Sequence, residues 1–109
     1  MSKGLNMVSS NHIFMSKGLI HSKNDDVCVA TTDVRKGEEV RCAYLENPAS
    51  YILVKSEEDI PLGHKIALRD IKKGEKVLKY GRVIGEATKD ITKGEHVHVH
   101  NIKSLRWGK

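Results

Sequence analysis

The sequence is poor in aromatic residues and has no long apolar run, and each shortage excludes a class of protein. Aromatic side chains make up 5% of the 109 residues, too few for a surface that stacks on nucleic-acid bases. No stretch approaches the roughly 20 apolar residues of a membrane-spanning helix, and the N-terminus has no apolar stretch of the secretory-signal kind. We therefore expect one small cytoplasmic domain with a modest aliphatic core and no membrane contact.

Cysteine is also scarce. Cys28 and Cys42 are the only two, and they form neither a Cys-x-x-Cys pair nor any other paired metal-binding spacing. We expect two reduced, partly buried thiols, and the alternative is a disulfide or a reactive thiol.

Acidic residues are absent from both ends of the chain, which explains the net charge of +5. Residues 1–23 carry three lysines and residues 102–109 carry three Lys or Arg, with no acid in either segment. The segment between them holds all fourteen acids against thirteen Lys and Arg. A nucleic-acid-binding protein should instead cluster positive charge on the folded face that follows the phosphates. The charge distribution argues against nucleic acid as a partner.

The two ends also differ from the middle in composition. The opening Met-Ser-Lys-Gly-Leu recurs at residues 15–19, and such polar termini are usually disordered. We predict a flexible leader over residues 1–20, with Met15 as an alternative translation start, and a folded domain over residues 21–109. The final segment contains the only Trp, Trp107. Because Trp is favoured at interface hot spots, we predict a docking tail there.

One eight-residue phrase occurs three times, at residues 33–40, 70–77 and 90–97. It reads Asp, a β-branched residue, one variable residue, Lys-Gly-Glu, one variable residue and Val. The Gly permits a positive φ in a tight turn, and the Asp carboxylate can accept backbone N–H groups there. The β-branched residue and the closing Val then face inward. Each copy is predicted to form a strand, a turn and a strand.

Further turn signals break the rest of the chain into short runs. Predicted strands cover residues 27–31, 38–44, 51–55, 64–69, 75–79, 82–84 and 95–100. The phrases start 37 and then 20 residues apart, which argues against a regular solenoid because its repeats keep a fixed period. We predict a compact all-β domain with little helix.

The third phrase runs into a row of alternating histidines and valines. Side chains alternate between the two faces of a strand. His96, His98 and His100 are therefore predicted to share one face, with Val97 and Val99 on the core side. Neighbouring imidazoles in such a row lie about 6.5–7 Å apart.

The row has more than one chemical interpretation. Two adjacent imidazoles can bind one metal ion, but a protein metal site usually needs three or four ligands. The others would have to come from His64 or from a partner, so we expect no metal bound by this chain alone. A histidine-rich solvated face is the structural alternative. Imidazoles titrate near neutral pH and suit proton transfer or anion binding, and the sequence leaves these roles open.

Several longer motifs resemble one family. They are Gly-His-Lys-Ile-Ala-Leu-Arg-Asp-Ile at residues 63–71, Tyr-Gly-Arg-Val-Ile-Gly at residues 80–85 and Gly-Glu-His-Val-His-Val-His-Asn at residues 94–101. They resemble the N-terminal SAF-type (β-clip) domain of altronate and galactarate dehydratases, which also occurs as a separate small subunit of sulfolactate sulfo-lyase. The resemblance covers about residues 24–107 and implies a β-clip fold, in agreement with the strand and turn pattern.

The resemblance also implies a function. It implies the small subunit of a two-component lyase that eliminates water or sulfite from a small anionic hydroxy acid. Family dehydratases continue into a large catalytic domain associated with a divalent metal, commonly iron. We therefore expect a large catalytic subunit as partner, with the metal held by that subunit, and oligomerisation is a further possibility.

Site residues follow from the row and the resemblance together. We expect His98 and His100 to act as catalytic acid/base or leaving-group contacts. The candidate substrate-binding residues are His64, Lys65, His96 and Asn101. The alternative from a different functional class is a non-catalytic β-clip module that binds a carbohydrate or a protein.

Overall fold

The computed structural model describes residues 16–104, which form nine short strands and no helix. The strands are β1 (Gly18–Ile20), β2 (Val27–Ala30), β3 (Glu39–Tyr44), β4 (Tyr51–Lys55), β5 (Lys65–Ala67), β6 (Lys76–Lys79), β7 (Arg82–Ala87), β8 (His96–Val97) and β9 (Ile102–Ser104). The prediction of an all-β domain is confirmed. Within the described range no helix could cross a membrane. The predicted docking tail at residues 105–107 and the first fifteen residues lie outside the described range.

The strands form two sheets. The larger has the order β4-β3-β1-β2-β5-β8, and the smaller has the order β6-β7-β9. Strand β1 runs parallel to β3 and antiparallel to β2, and its Ile20 is fully buried. The predicted leader boundary at residue 20 therefore lies inside the folded region. Strand β1 was not predicted because residues 1–20 were assigned to a flexible leader, and β9 lies beyond the last predicted strand.

Two apolar clusters form the core, and the phrases supply both. The second and eighth positions of each phrase are buried, as predicted. The first phrase contributes Val34 and Val40 to one cluster, together with Ile20, Cys28, Cys42, Val54, Ile60 and Ile66. The second and third phrases contribute to the other cluster, which contains Val27, Ala67, Ile71, Val77, Ala87, Ile91 and Val97.

The two cysteines are structural. Cys28 and Cys42 are free and fully buried, more deeply than predicted. They flank Gly18 of β1, where an added Cβ would lie 2.2 Å from the Cys28 sulfur. A hydrogen bond with Cys42, then burial, raises the pKa of the Cys28 thiol. Only the ionised thiolate is nucleophilic, so this raised pKa argues against Cys28 as a reactive thiol.

A fourth, divergent copy of the phrase accompanies the three that were predicted. Residues 59–66 read Asp-Ile-Pro-Leu-Gly-His-Lys-Ile, which keeps the Asp, the Gly and both β-branched positions. We name the four copies the Asp33, Asp59, Asp70 and Asp90 turns after their first residues. The glycines at their fifth positions have φ between 85° and 94°, so all four turns share one backbone conformation. The fourth copy was not predicted because Leu and His replace the Lys and Glu of the shared phrase.

The four turns interlock in two pairs. Isolated bridges join Val34 to Ile60 and Ile71 to Ile91. In each pair, the Asp carboxylate of one turn accepts the backbone N–H of the fourth residue of the other turn, at 2.8–2.9 Å in all four cases. The Asp residues accept backbone N–H groups as predicted, but the donors lie in the partner turn, so these bonds tie distant segments together.

Two buried carboxylates join the smaller sheet to the larger. Asp26 accepts hydrogen bonds from the Arg69 guanidinium and from the backbone N–H of Leu78, both at 2.8 Å. Asp25 accepts the N–H groups of Tyr80 and Gly81, both at 2.9 Å. Because buried acceptors need partners, these bonds hold the β6–β7 hairpin against the end of β2. The space between the two sheets borders the site described next.

Candidate functional site

The histidine row does not continue as a strand. Strand β8 ends at Val97, residues 98–101 form a turn, and β9 begins at residue 102. Val99 is 80% exposed, so its predicted position on the core face is wrong. The prediction failed because the alternation of His and Val is typical of a strand, while the turn depends on Asn101.

Asn101 closes this turn through its side chain. Its Oδ1 accepts the backbone N–H of His98 at 2.9 Å, and its Nδ2 donates to the backbone carbonyl of His96 at 2.8 Å. Asn side chains commonly stabilise turns in this way. Asn101 is only 3% exposed and both of its polar atoms have backbone partners. The structure therefore shows it positioning the histidines, and its predicted contact with substrate stays a prediction.

The turn brings four imidazoles together, which we call the imidazole cluster: His64, His96, His98 and His100. The Nδ1 atom of His64 lies 2.9 Å from Nε2 of His96. Ring centroids are 4.5 Å apart for His64 and His98, 5.4 Å for His96 and His98 and 5.3 Å for His96 and His100. The cluster is therefore tighter than the spacing along an extended strand, and it includes His64 from a segment more than thirty residues away in sequence.

Strand pairing explains how His64 reaches the row. In the β5–β8 pair, Ile66 lies opposite His96 and Lys65 lies opposite Val97. His64 immediately precedes β5 and His98 immediately follows β8. In antiparallel strands this register places the two residues opposite each other.

The Asp59 turn can place a histidine here because of its proline. In the other three turns the sixth residue is Glu, and its carboxylate accepts the backbone N–H of the third residue at 2.6–2.7 Å. The third residue of the Asp59 turn is Pro61, which has no N–H to donate. A Glu at position 64 would have no such bond to make, so the position is free for His64.

The environment of His96 and His98 favours the neutral form of both imidazoles. Burial, followed by the charges of His64 and His100, lowers the pKa of His96. Burial, followed by the charges of His64 and Lys65, lowers the pKa of His98. A neutral imidazole has one ring nitrogen free to accept a proton or to bind a metal ion. Glu58 lies beside the cluster, where its carboxylate accepts the backbone N–H of His96 at 2.9 Å.

An open cavity of about 530 Å³ borders the cluster at His98. Among the described residues, its polar lining includes three lysines, Lys65, Lys79 and Lys103, and no acidic residue. Burial, then the charge of Lys79, lowers the pKa of Lys65, as expected for two ammonium groups that repel each other. A bound anion would relieve that repulsion. Lys65 was a predicted site residue, whereas Lys79 and Lys103 had no sequence signal among nineteen Lys and Arg.

Two overlapping groups of side chains have metal-binding geometry. One consists of His64, His96 and His98, and the other of Glu58, His96 and His100. In each group the potential ligand atoms lie within 4.8 Å of one another. The structure thus adds His64 as the third ligand that the row alone lacked.

Comparison with known proteins agrees with this architecture. The family described as "Altronate/galactarate dehydratase SAF domain" matches residues 16–105. Over 82 residues the chain is 43% identical to the altronate dehydratase of Bacillus subtilis, covering 75% of this chain but 15% of that enzyme. Over 89 residues it is 34% identical to the (2R)-sulfolactate sulfo-lyase subunit alpha of Chromohalobacter salexigens, covering 82% of this chain and 95% of that subunit.

The two relatives differ in how much of them this chain represents. It spans about one seventh of the altronate dehydratase and nearly all of the sulfo-lyase alpha subunit. A second alpha subunit, from Paracoccus pantotrophus, is 48% identical over 52 residues. The resemblance identified from the motifs at residues 63–71 and 94–101 is confirmed. On the strength of these matches and the all-β fold, the chain belongs to the SAF-domain family of altronate and galactarate dehydratases.

Proposed function

We propose that this chain is the small subunit of a two-component lyase that eliminates water or sulfite from an anionic hydroxy acid. The observation that carries the proposal is that His98 belongs both to the imidazole cluster and to the acid-free, lysine-lined cavity. An anion held by the lysines would present its neighbouring carbon atoms to neutral imidazoles. Family membership supports the reaction class, and the 95% coverage of an alpha subunit supports the small-subunit format.

The reaction needs a base and a group that assists the leaving group. The base removes the proton from the carbon next to the carboxylate. The released electron pair forms a carbon–carbon double bond, while the carbon–oxygen or carbon–sulfur bond at the next carbon breaks. A leaving hydroxyl takes up a proton and departs as water, and a leaving sulfonate departs as sulfite.

The geometry suggests a division of these roles. We assign the base to His98, because it is the imidazole that lines the cavity. The leaving-group contact is assigned to His100 from the histidine row of the sequence, since His100 itself lines a neighbouring cavity with Glu58 and Asp90. His64 and His96 orient the substrate from within the cluster. Lys65, with Lys79 and Lys103, binds the carboxylate, and Asn101 is a positioning residue.

The large subunit completes this proposal. We propose that the small subunit is inactive alone and that substrate is enclosed between the two chains. The divalent metal expected there supplies Lewis-acid assistance to the leaving group when bound. The metal of the large subunit and a cytoplasmic location both stay predictions.

Reconstitution with the large subunit tests the proposal. The pair is purified after coexpression and assayed on altronate, galactarate and sulfolactate. We expect turnover of one of them, and we expect His98→Ala and His100→Ala each to lower kcat by about 10²–10⁴-fold. His21→Gln is the matched control, because His21 is outside the cluster and the cavity. Unchanged turnover in both cluster variants would show that the catalytic assignment is wrong.

The lysines give a separate test of the anion site. Replacement of Lys79 or Lys103 with Ala removes charge without touching the imidazoles, so we expect KM to rise about tenfold or more while kcat changes little. Lys72→Ala, on an exposed turn, is the control. If the isolated chain binds the hydroxy acid by calorimetry and the pair shows no turnover, the non-catalytic binding module is the correct alternative.

A further inference from the structure

Three imidazoles of the cluster converge from separate backbone segments. His64 lies in the Asp59 turn, His96 lies in β8, and His98 lies in the turn that follows. Their nitrogen atoms lie within 4.8 Å of one another, with the closest pair at 2.9 Å. Two nitrogens bound to one tetrahedral ion at 2.0–2.1 Å would be about 3.3 Å apart. The observed spacings bracket that distance, so small ring rotations are enough to enclose an ion.

Each of the three backbone positions is fixed by a hydrogen bond. The N–H of His64 donates to the carbonyl of Pro61 at 2.9 Å. The N–H of His96 donates to the Glu58 carboxylate, and the N–H of His98 donates to the Asn101 amide oxygen. Ligands held in place before binding lose little conformational freedom when an ion arrives. The backbone positions from which the three imidazoles converge are therefore fixed by the fold.

From this geometry we propose that His64, His96 and His98 bind one first-row divalent transition-metal ion on this chain. Imidazole nitrogen suits Zn²⁺, Fe²⁺, Co²⁺ and Ni²⁺, whereas Mg²⁺ and Ca²⁺ take oxygen ligands. Three protein ligands leave at least one coordination position open, which is the arrangement of catalytic rather than structural sites. His98 also lines the lysine cavity, so an anion bound there would lie beside one of the three ligands.

The competing ligand group is less suitable. It shares His96 but replaces the other two imidazoles with Glu58 and His100. Glu58 already accepts the backbone N–H of His96 through one carboxylate oxygen, and His100 is exposed. Glu58 is better described as a positioning residue that orients His96 and supplies negative charge close to the ion. Removing a residue that hydrogen-bonds to a metal ligand typically lowers the metal affinity by about 10–100-fold.

This inference departs from the sequence-based expectation that the chain alone binds no metal. The two proposals meet at His98, because an imidazole with one nitrogen bound to a metal ion has no nitrogen left to accept a proton. The base role of His98 therefore applies to the chain without the ion. The two proposals are tested separately, because metal binding is measured on the full 109-residue chain without the large subunit or a substrate. A chain that binds metal but supports no turnover would keep the metal site and remove the lyase assignment. Turnover by the reconstituted pair, with no metal bound by this chain, would keep the lyase assignment and remove the metal site.

Cobalt binding is the direct test. The full chain is prepared without a polyhistidine tag, and Co²⁺ is added while the visible ligand-field absorption is recorded. We expect saturation at one equivalent, displacement by Zn²⁺, and a rise in the thermal unfolding midpoint with Zn²⁺. We expect His64→Ala, His96→Ala and His98→Ala each to weaken binding at least tenfold, since losing a ligand should cost no less than losing an outer partner. His21→Gln should bind as the wild type does.

Several results would overturn the site. They are the absence of a cobalt spectrum in the wild type, binding that survives all three substitutions, and binding that depends on Glu58 and His100 but not on His64. If a variant fails to fold, nuclear magnetic resonance of the wild type provides an independent test. Zn²⁺ should shift the imidazole signals of His64, His96 and His98 and leave those of His21 in place, and a shift confined to other histidines would contradict the proposal.

Discussion

The two pairs of interlocked turns use the same hydrogen bonds, but only one turn of the four carries a histidine in place of its Glu. The Asp70 and Asp90 turns both keep the Glu that accepts an N–H within the turn. In the other pair, the Asp33 turn keeps it and the Asp59 turn has His64. Having His64 instead of Glu in the Asp59 turn costs no hydrogen bond, because Pro61 has no backbone N–H to donate. A repeated scaffold can therefore release one position for chemistry without weakening the bonds between its turns.

One of the four turn glycines is packed more tightly than the others. Gly94 and Gly63 have similar positive φ angles, 94° and 85°, but a Cβ at Gly94 would lie 2.2 Å from the Lys55 carbonyl oxygen. At Gly63, as at Gly37 and Gly74, no atom of the described residues lies within 4 Å of an added Cβ. We expect Gly94→Ala to destabilise the domain by at least about 3 kcal/mol, and Gly63→Ala by about 1–2 kcal/mol from backbone strain alone. Urea unfolding of both variants measures the difference, and equal losses would contradict the packing argument.

The Asp residues at the first position should behave alike in both pairs. Asp33→Ala and Asp90→Ala each remove the acceptor of one backbone N–H in the partner turn. We expect each to lower the free energy of unfolding by about 1 kcal/mol, as for the loss of a helix cap. The matched controls are Asp33→Asn and Asp90→Asn, which keep an acceptor oxygen and should lose less. A large loss in one pair only would show that the pairs are not equivalent.

The proline explanation for His64 can be tested by restoring the missing bond. Thr92 and Glu95 occupy the third and sixth positions of the Asp90 turn, so Pro61→Thr combined with His64→Glu should recreate their hydrogen bond in the Asp59 turn. In a double-mutant cycle we expect a favourable coupling of about 0.5–1.5 kcal/mol between the two substitutions. Additive effects would mean that Pro61 does not determine whether a Glu is useful at this position.

The smallest expected effect concerns acid stability. The backbone N–H of Lys72, followed by Arg69, holds the pKa of Glu75 below its usual range, and the Asp59 turn has no equivalent carboxylate. Because the folded pKa is the lower one, this contribution is present above the ordinary pKa of about 4.3 and is lost as the pH falls through the folded value. Glu75→Gln should therefore give a slightly shallower loss of stability in acid.

Carboxyl titration by nuclear magnetic resonance checks the direction of this shift. The effect on stability should be slight because the side chain is exposed and screened by solvent. A Glu75 pKa at or above the ordinary value would remove the hydrogen-bond explanation.

Much of the fold could be predicted from the phrase itself. Its spacing identified three turns, and its second and eighth positions, such as Ile71 and Val77, are buried as expected. The fourth turn was missed because it shares only the Asp, the Gly and two β-branched positions with the others. Strand β1 was missed because the polar composition of residues 1–20 predicted a flexible leader, whereas the strand is held by neighbours on both sides.

The site could be predicted only in part. The histidine row and His64 were both identified from the sequence, and the structure brings them into contact. The shape of the row was not predictable, because the Asn101 side chain hydrogen-bonds to the backbone of His96 and His98. These bonds override the local strand pattern at residues 98–101. Lys79 and Lys103 could not be recognised either, since nothing distinguishes them from other surface lysines until two sheets meet around His98.

By itself the sequence determined the turn conformation, the buried positions and the family, because these depend on residues close together in the chain. A glycine with positive φ, an Asp four residues before it and two β-branched residues specify one local structure wherever they recur. Only the tertiary structure decided that His64 meets His96 and His98. That contact depends on the register of β5 against β8, and register is set by the packing of the whole sheet and not by the spacing of residues along the chain.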